Sequence, residues 1–220
     1  MAEYQNRITW KFWFLAGFYD LFDIPFRMNP KANPRLALAK KIPSTPIRVL
    51  DVCVGTASSA IAVAEANNQN EIVGIDLSPD MIAVAESKIR RRNIRNITLR
   101  RMDATRMSFQ DGEFDVVMIS FALHELEHEL MMRILCEMSR VVKGGGLLYI
   151  IDYESADSFF KKLVFAANLK LFEPAHMPQF LQYDWKELLA EAGFRFTGKE
   201  KYLFSKLISA VKDGDAQAKR

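Results

Sequence analysis

The chain has 220 residues, half of them hydrophobic, with a net charge of only +3, two cysteines and three histidines. That is enough apolar side chain for the core of one ordinary domain, and too little positive charge for a nucleic-acid surface. Cys53 and Cys136 make no disulfide framework, no uninterrupted apolar run is long enough to span a bilayer, and nothing reads as a signal peptide, so a reduced, cytoplasmic protein is expected.

The chain opens with an unusual density of aromatics: Trp10, Phe12, Trp13, Phe14, Phe18, Tyr19, Phe22 and Phe26. Phe14, Phe18 and Phe22 recur every four residues and would share one helix face. Packing on a sheet accounts for that stripe. Trp10, Phe12 and Trp13 fall on other faces, and a lid over a lipophilic substrate or a peripheral membrane contact would use them. Residues 1–42 are therefore read as an aromatic helical lid.

From Ile47 onward strand and helix patterns alternate, the mark of a parallel sheet covered on both faces. Strands are predicted at Ile47–Val52, Glu71–Ile75, Ile97–Met102, Phe114–Ser120 and Leu147–Asp152. The best-marked helix starts at Ser78-Pro79-Asp80, an N-cap followed by proline and an acid in the first turn. The basic group Lys88, Arg90, Arg91, Arg92 and Arg95 then suits that helix's C-terminal dipole and reads as structural. A second capped helix begins at Asp184 and stops at Gly193. Arg195–Phe204 and Ser205–Val211 can form two last strands joined tightly, and the tail from residue 213 reads as disordered.

The chemistry lies at the strand ends. Val49 to Ala57, VLDVCVGTA, closes an apolar run on a glycine turn, and the next strand ends on Asp76, about twenty residues beyond Gly55. A carboxylate there can accept hydrogen bonds from both hydroxyls of a ribose, whereas its structural alternative, capping the next helix, already belongs to Ser78. A dinucleotide would need G-x-G-x-x-G so that backbone amides close on its pyrophosphate, and here only Gly55 survives. S-adenosylmethionine carries adenine and ribose without phosphate, so a single glycine at the closest approach is sufficient. Asp51, at the first strand's end, can hold an ammonium or cap the following helix. The spacing of His124, His128 and His176 and of the cysteines makes no metal site.

Taken in order, VLDVCVGTA, VGIDLSPDMIAVA, Met102-Asp103-Ala104, FDVVMISFALHEL and MSRVVKGGGLLYIIDY resemble the successive motifs of class I S-adenosylmethionine-dependent methyltransferases, nearest the ubiquinone/menaquinone C-methyltransferase-like group. The resemblance runs from Tyr19 to about Tyr153. It implies a Rossmann-like three-layer α/β sandwich: a mostly parallel seven-stranded sheet with a C-terminal antiparallel hairpin, spanning residues 43–212, and an acceptor-pocket insertion near 155–183. It implies S-adenosylmethionine as cofactor, leaving as S-adenosylhomocysteine, held by Tyr19, Asp51, Gly55, Thr56, Ala57, Asp76, Leu77, Asp103, Ala104 and Phe121. The family's first motif usually reads G-x-G-x-G; this chain has Cys53 and Ala57 at the outer places. Asp103 is expected at the adenine amino group or, structurally, as a solvated loop acid. The resemblance sets the loop from Phe121 to Glu125 toward the methyl group and its acceptor, which makes His124 a candidate base or substrate-orienting group. A helix-start histidine is the structural alternative, and Glu125 is expected to cap the next helix. In the insertion, Phe159 to Phe172 is aromatic and basic, with Lys161 and Lys162 readable as an ordinary solvated face.

The expected activity is methyl transfer to a small hydrophobic or amphipathic acceptor, quinone-like or lipid-like, with no nucleic-acid partner. A protein that binds S-adenosylmethionine without turnover, as sensor or partner subunit, is the competing reading, and a nicotinamide oxidoreductase is disfavoured by the missing glycines.

Overall fold

A computed structural model describes residues 32–154, 177–202 and 204–214. The N-terminal aromatic run, Tyr19, most of the 155–183 insertion and the last six residues lie outside the described residues. The chain divides into two units after Ser108.

The first unit begins with α1, Pro34–Lys41, whose cap Asn33 takes the Arg35 N–H at 3.0 Å ahead of a proline at the first helical position. This helix falls inside the stretch read as lid; its Leu38 and Ala39 are buried and it packs on α2, Ser58–Ala66. Three parallel strands follow the order β3-β2-β1: β1 is Arg48–Val52, β2 Glu71–Asp76 and β3 Ile97–Arg101. Val49, Leu50, Asp51 and Val52 are all buried, as are Ile72 to Ile75, the pattern of strands covered on both faces. Gly74 is required by that closeness, since a Cβ there would stand 2.8 Å from Leu99 and 2.9 Å from Val54. Beyond β1 the chain stays tied to β2, with the Val54 N–H donating to the Ile75 carbonyl at 2.8 Å. The helix after β2, α3, is Pro79–Arg91; Ser78 Oγ accepts from Met81 N, as its sequence signature predicts.

The second unit holds β4, Phe114–Ser120, then α4, His128–Val141, then β5, Val142–Tyr153. After them come α5, Met177–Phe180, α6, Trp185–Glu191, β6, Phe194–Lys201, and β7, Ser205–Lys212. Their order is β4-β5-β7-β6, parallel between β4 and β5 and antiparallel on both sides of β7. α4 buries Met131, Ile134, Leu135, Met138 and Val141, one stripe at helical spacing. Each such side chain contributes about 1.5–3 kcal/mol of burial as an upper estimate. β5 starts at Val142, ahead of the predicted Leu147, and the register with β4 shifts across the glycine run. Gly146 is there for closeness: a Cβ would stand 2.9 Å from the Asp115 carbonyl oxygen and 2.7 Å from Val142. β6 ends at Lys201, short of the predicted Phe204. Asp184 caps α6 as expected, and Gly193 follows it at a φ of +83°.

The architecture is the expected one: a seven-stranded, mostly parallel sheet with flanking helices and antiparallel pairing confined to its C-terminal strands.

Candidate functional site

In the first unit the turn after β1 is built on an alternation of backbone handedness. Cys53, Gly55 and Ala57 sit at φ values of +54°, +52° and +61°, with residues outside the positive-φ region between them. These are the three places of the G-x-G-x-G pattern, and the geometry explains the glycines: each position needs a left-handed backbone. Cys53 and Ala57 adopt it at a steric cost of roughly 1–2 kcal/mol each. Nothing lies within 4 Å of the place where a Cβ on Gly55 would project. That open space suits a ligand at close approach.

Three carboxylates surround this turn. Asp76 accepts the Gly55 N–H through Oδ2 and the Ser78 N–H through Oδ1, both at 2.9 Å. Burial raises its carboxyl above the usual range, opposed by these backbone bonds. Each oxygen keeps a further lone pair, so the ribose role and the turn-building role are compatible. Asp51 is almost fully buried. Burial lifts its carboxyl to about 8, against the Ala60 N–H bond and the charge of Arg35, and with the help of Asp76. Ala60 lies in the first turn of α2, so Asp51 does cap that helix, yet its Oδ1 has no hydrogen-bond partner. A buried acceptor left over in this way fits an ammonium. Asp103 is exposed and spends Oδ1 on the N–H and hydroxyl of Thr105, at 2.8 and 2.7 Å, a turn that leaves Oδ2 outward. Burial, then the charges of Asp76, Asp51 and Asp103, push the Cys53 thiol up, which sets all three acids around one turn.

Leu77 is exposed beside Asp76, an apolar surface for a base, and Ala104 is buried next to Asp103. Thr56 turns its hydroxyl to Lys88 Nζ at 3.1 Å, and the same ammonium reaches Ser58 Oγ at 3.0 Å. Lys88 is structural, as read for its cluster, but through side-chain hydrogen bonds and not the helix dipole alone. It points inward and ties α3 to the turn, whereas Arg92 does pair outward with Glu65 at 2.8 Å. Helical spacing would have found it, since Lys88 follows Met81 and Ala85 on the buried stripe of α3.

In the second unit the β4 strand ends in Phe121, which adopts a φ of +52°, uncommon for a bulky residue. Its N–H bonds the Ile151 carbonyl at 2.7 Å and its ring meets Tyr153 edge-on. His124 follows in a 3-10 turn, Leu123–Glu125, and not at a helix start; α4 begins later, behind Glu127. Glu125 does not cap that helix either, and instead stands with Oε1 3.7 Å from His124 Nε2, beyond hydrogen-bond reach.

His124 is buried, and its Nδ1 lies 2.7 Å from Asp152 Oδ1. Asp152 is fully buried at the end of β5, and accepts as well from Leu123 N at 3.1 Å, His124 N at 3.3 Å and Tyr153 N at 2.8 Å. An ionised carboxylate only accepts, so Nδ1 carries the hydrogen and Nε2 keeps its lone pair. The Tyr153 ring at 4.6 Å and the Phe180 ring at 6.2 Å wall the imidazole. An imidazole held in this way can act as a base, with Asp152 as its positioning residue. Sequence reading missed Asp152 because a strand-end acid gives no sign of which side chain it will face.

Among the described residues no cluster of three or more His, Cys, Asp or Glu could hold a metal ion, and no helix is long and apolar enough to cross a membrane.

A family described as "Methyltransferase domain" matches residues 49–146. The demethylmenaquinone methyltransferase of Geobacillus kaustophilus is 35% identical over 159 residues, 70% of this chain and 66% of that protein. That of Staphylococcus saprophyticus is 30% identical over 194 residues, 85% of this chain and 80% of its own length. The match thus spans just under two thirds of the first relative and four fifths of the second. A solved S-adenosylmethionine-dependent methyltransferase from Aquifex aeolicus superposes with a TM-score of 0.67 at 19% identity, over 89% of this chain and 97% of its own.

Proposed function

The chain belongs to the class I S-adenosylmethionine-dependent methyltransferases, in the menaquinone group, and from that premise we propose that it methylates a small quinone-like acceptor. When bound, S-adenosylmethionine supplies an electrophilic methyl on a sulfonium and departs as neutral S-adenosylhomocysteine, so the chemistry asks the protein mainly for positioning. Positioning can supply up to roughly 7–11 kcal/mol in favourable cases. Gly55 and Ala57 would offer backbone at close approach, Asp76 would accept from the ribose, Leu77 and Asp103 would receive the adenine beside Ala104, and Asp51 would take the ammonium on its free oxygen. Thr56 contributes backbone, its hydroxyl being held by Lys88. Tyr19 and the aromatics before it would cover cofactor and acceptor, and Phe121 would line the approach to His124.

The observation that carries the acceptor class is the His124–Asp152 pair. A base is needed only when the acceptor must lose a proton, as a phenolic ring does before attack through carbon. With Nδ1 turned to Asp152, Nε2 is the ring nitrogen that would take that proton. A protein that merely binds the nucleoside has no use for such a pair. We place the reaction in the cytoplasm, with the N-terminal aromatics reaching a membrane surface where a lipophilic quinone resides. The test is incubation with labelled S-adenosylmethionine and a demethylmenaquinone-type hydroquinone, with mass analysis of the product. Ring methylation that needs both His124 and Asp152 is expected; tight cofactor binding without transfer to any quinol would return the chain to the sensor reading.

A further inference from the structure

One buried charge in the second unit is unused by these assignments. Lys206 on β7 is 1% exposed, and strand register sets it directly opposite Asp152. Its Nζ lies 4.8 Å from the centroid of the Trp185 ring and 5.0 Å from that of Phe180. Among the described residues it makes no hydrogen bond and no ion pair. The two nearby carboxylates, Asp152 and Glu154, act on it through their charge and not through a hydrogen bond. Both oxygens of Asp152 are taken by Leu123, His124 and Tyr153, and Glu154 Oε2 stands 3.0 Å from Lys199 Nζ. Trp185 Nε1, on one of the two caging rings, is a second buried donor without a partner. Phe180 joins this place to the histidine, since its ring contacts His124, Trp185 and Lys206 together.

Ring faces stabilise an ammonium and leave its three N–H donors for hydrogen bonds. An anion or a strong acceptor arriving beside the two rings could use them. We propose that Lys206, with the Trp185 indole N–H beside it, is the seat for the ionised oxygen of a phenolic acceptor. The inference rests on the acceptor reading above and deepens it. In the step concerned, the acceptor O–H bond breaks, the proton passes to His124 Nε2, and the electron pair stays on the oxygen, whose charge the ammonium then holds. The flat Phe180 and Trp185 rings suit an aromatic acceptor and exclude water from the pair. Burial lowers the pKa of Lys206, opposed by the charges of Glu154 and Asp152 and reinforced by that of Lys199, and an arriving anion would oppose that shift further.

Para-nitrophenol tests this without any methyl donor, because its phenolate is visible and reports its own ionisation. The intact protein should bind the phenolate at least tenfold more tightly than para-nitroanisole, and the bound phenol should ionise at lower pH than the free one. Lys206→Met should abolish that preference while anisole binding persists, and Lys206→Arg should retain part of it. Trp185→Phe, which keeps the ring and removes the N–H, should lose a smaller part and serves if the methionine variant does not fold. Equal affinity of the intact protein for phenolate and anisole, or an unchanged preference in folded Lys206→Met, would overturn the proposal. Neither outcome touches cofactor binding, which calorimetry with S-adenosylmethionine reads separately.

Discussion

Asp76 Oδ2 accepts the backbone N–H of Gly55 at 2.9 Å, so the acid that ends β2 also builds the turn that ends β1. Asp76→Ala should therefore act twice. Cofactor affinity should fall by about 1.5–3 kcal/mol, the worth of hydrogen bonds to a charged acceptor, and the free protein should lose stability because two N–H donors are stranded. Asp76→Asn keeps one acceptor and should fall between. Calorimetric titration beside urea unfolding separates the two effects, and an unchanged dissociation constant in folded Asp76→Ala would remove the ribose assignment.

Cys53 and Ala57 hold left-handed backbone that glycine adopts freely. Cys53→Gly and Ala57→Gly should each stabilise the protein by about 0.5–1 kcal/mol, the relieved strain less the added chain entropy. Cofactor affinity should be kept or improved. Ala57→Val should destabilise by more than either gains, because a branched side chain at that φ has no room in a buried turn. Urea midpoints at constant slope are the measurement, and a destabilised Ala57→Gly would mean that the turn is held by side-chain packing.

Asp51 carries a carboxyl raised to about 8 by burial. The folded state therefore holds a proton that the unfolded chain releases near pH 4, so this contribution to stability is complete below about pH 4 and is lost as pH rises through 8. Thermal melts of the free protein should decline over that window, and Asp51→Asn should flatten the decline. Ammonium binding favours the ionised form. S-adenosylmethionine should thus bind with proton release near pH 7, read as a buffer-dependent calorimetric heat that Asp51→Asn removes.

His124→Ala should cut turnover by roughly 10²–10⁴ with little change in cofactor affinity if it serves as the base. Asp152→Asn should also lower turnover, and stability besides, because four N–H donors converge on that carboxylate. An acceptor already ionised in solution should partly rescue His124→Ala. Equal loss on ionised and neutral acceptors would make the histidine a wall of the pocket.

Lys88→Met should loosen the turn, since it removes the hydrogen bonds to Thr56 and Ser58. Cofactor affinity should fall a few-fold, and amides of residues 55–58 should exchange faster in the free protein. Unchanged exchange would leave Lys88 as packing alone.

Much of this molecule was legible along the chain because its cues are local. The proline and cap at Ser78, the apolar runs of β1 and β2 and the stop at Gly193 act through neighbours a few residues away, and the structure places those elements as read. The strand-end acids were visible for the same reason, as charges closing apolar runs. Errors came where a local sign had a distant cause. The strand was read from Leu147, but it starts at Val142, and Gly146 serves close passage past the Asp115 carbonyl on another strand. Lys88 was read with its arginines as serving the helix dipole, and the partners it reaches lie some thirty positions earlier. His124 carried its chemistry in its side chain from the start. Whether that chemistry can be used depends on Asp152, brought to it from the end of β5, and on Lys206, set opposite Asp152 by antiparallel pairing. Composition and periodicity report what each residue must bury or cap within its own segment; which charges meet in a low-dielectric interior depends on strand order and register, and those exist only once the sheet is assembled.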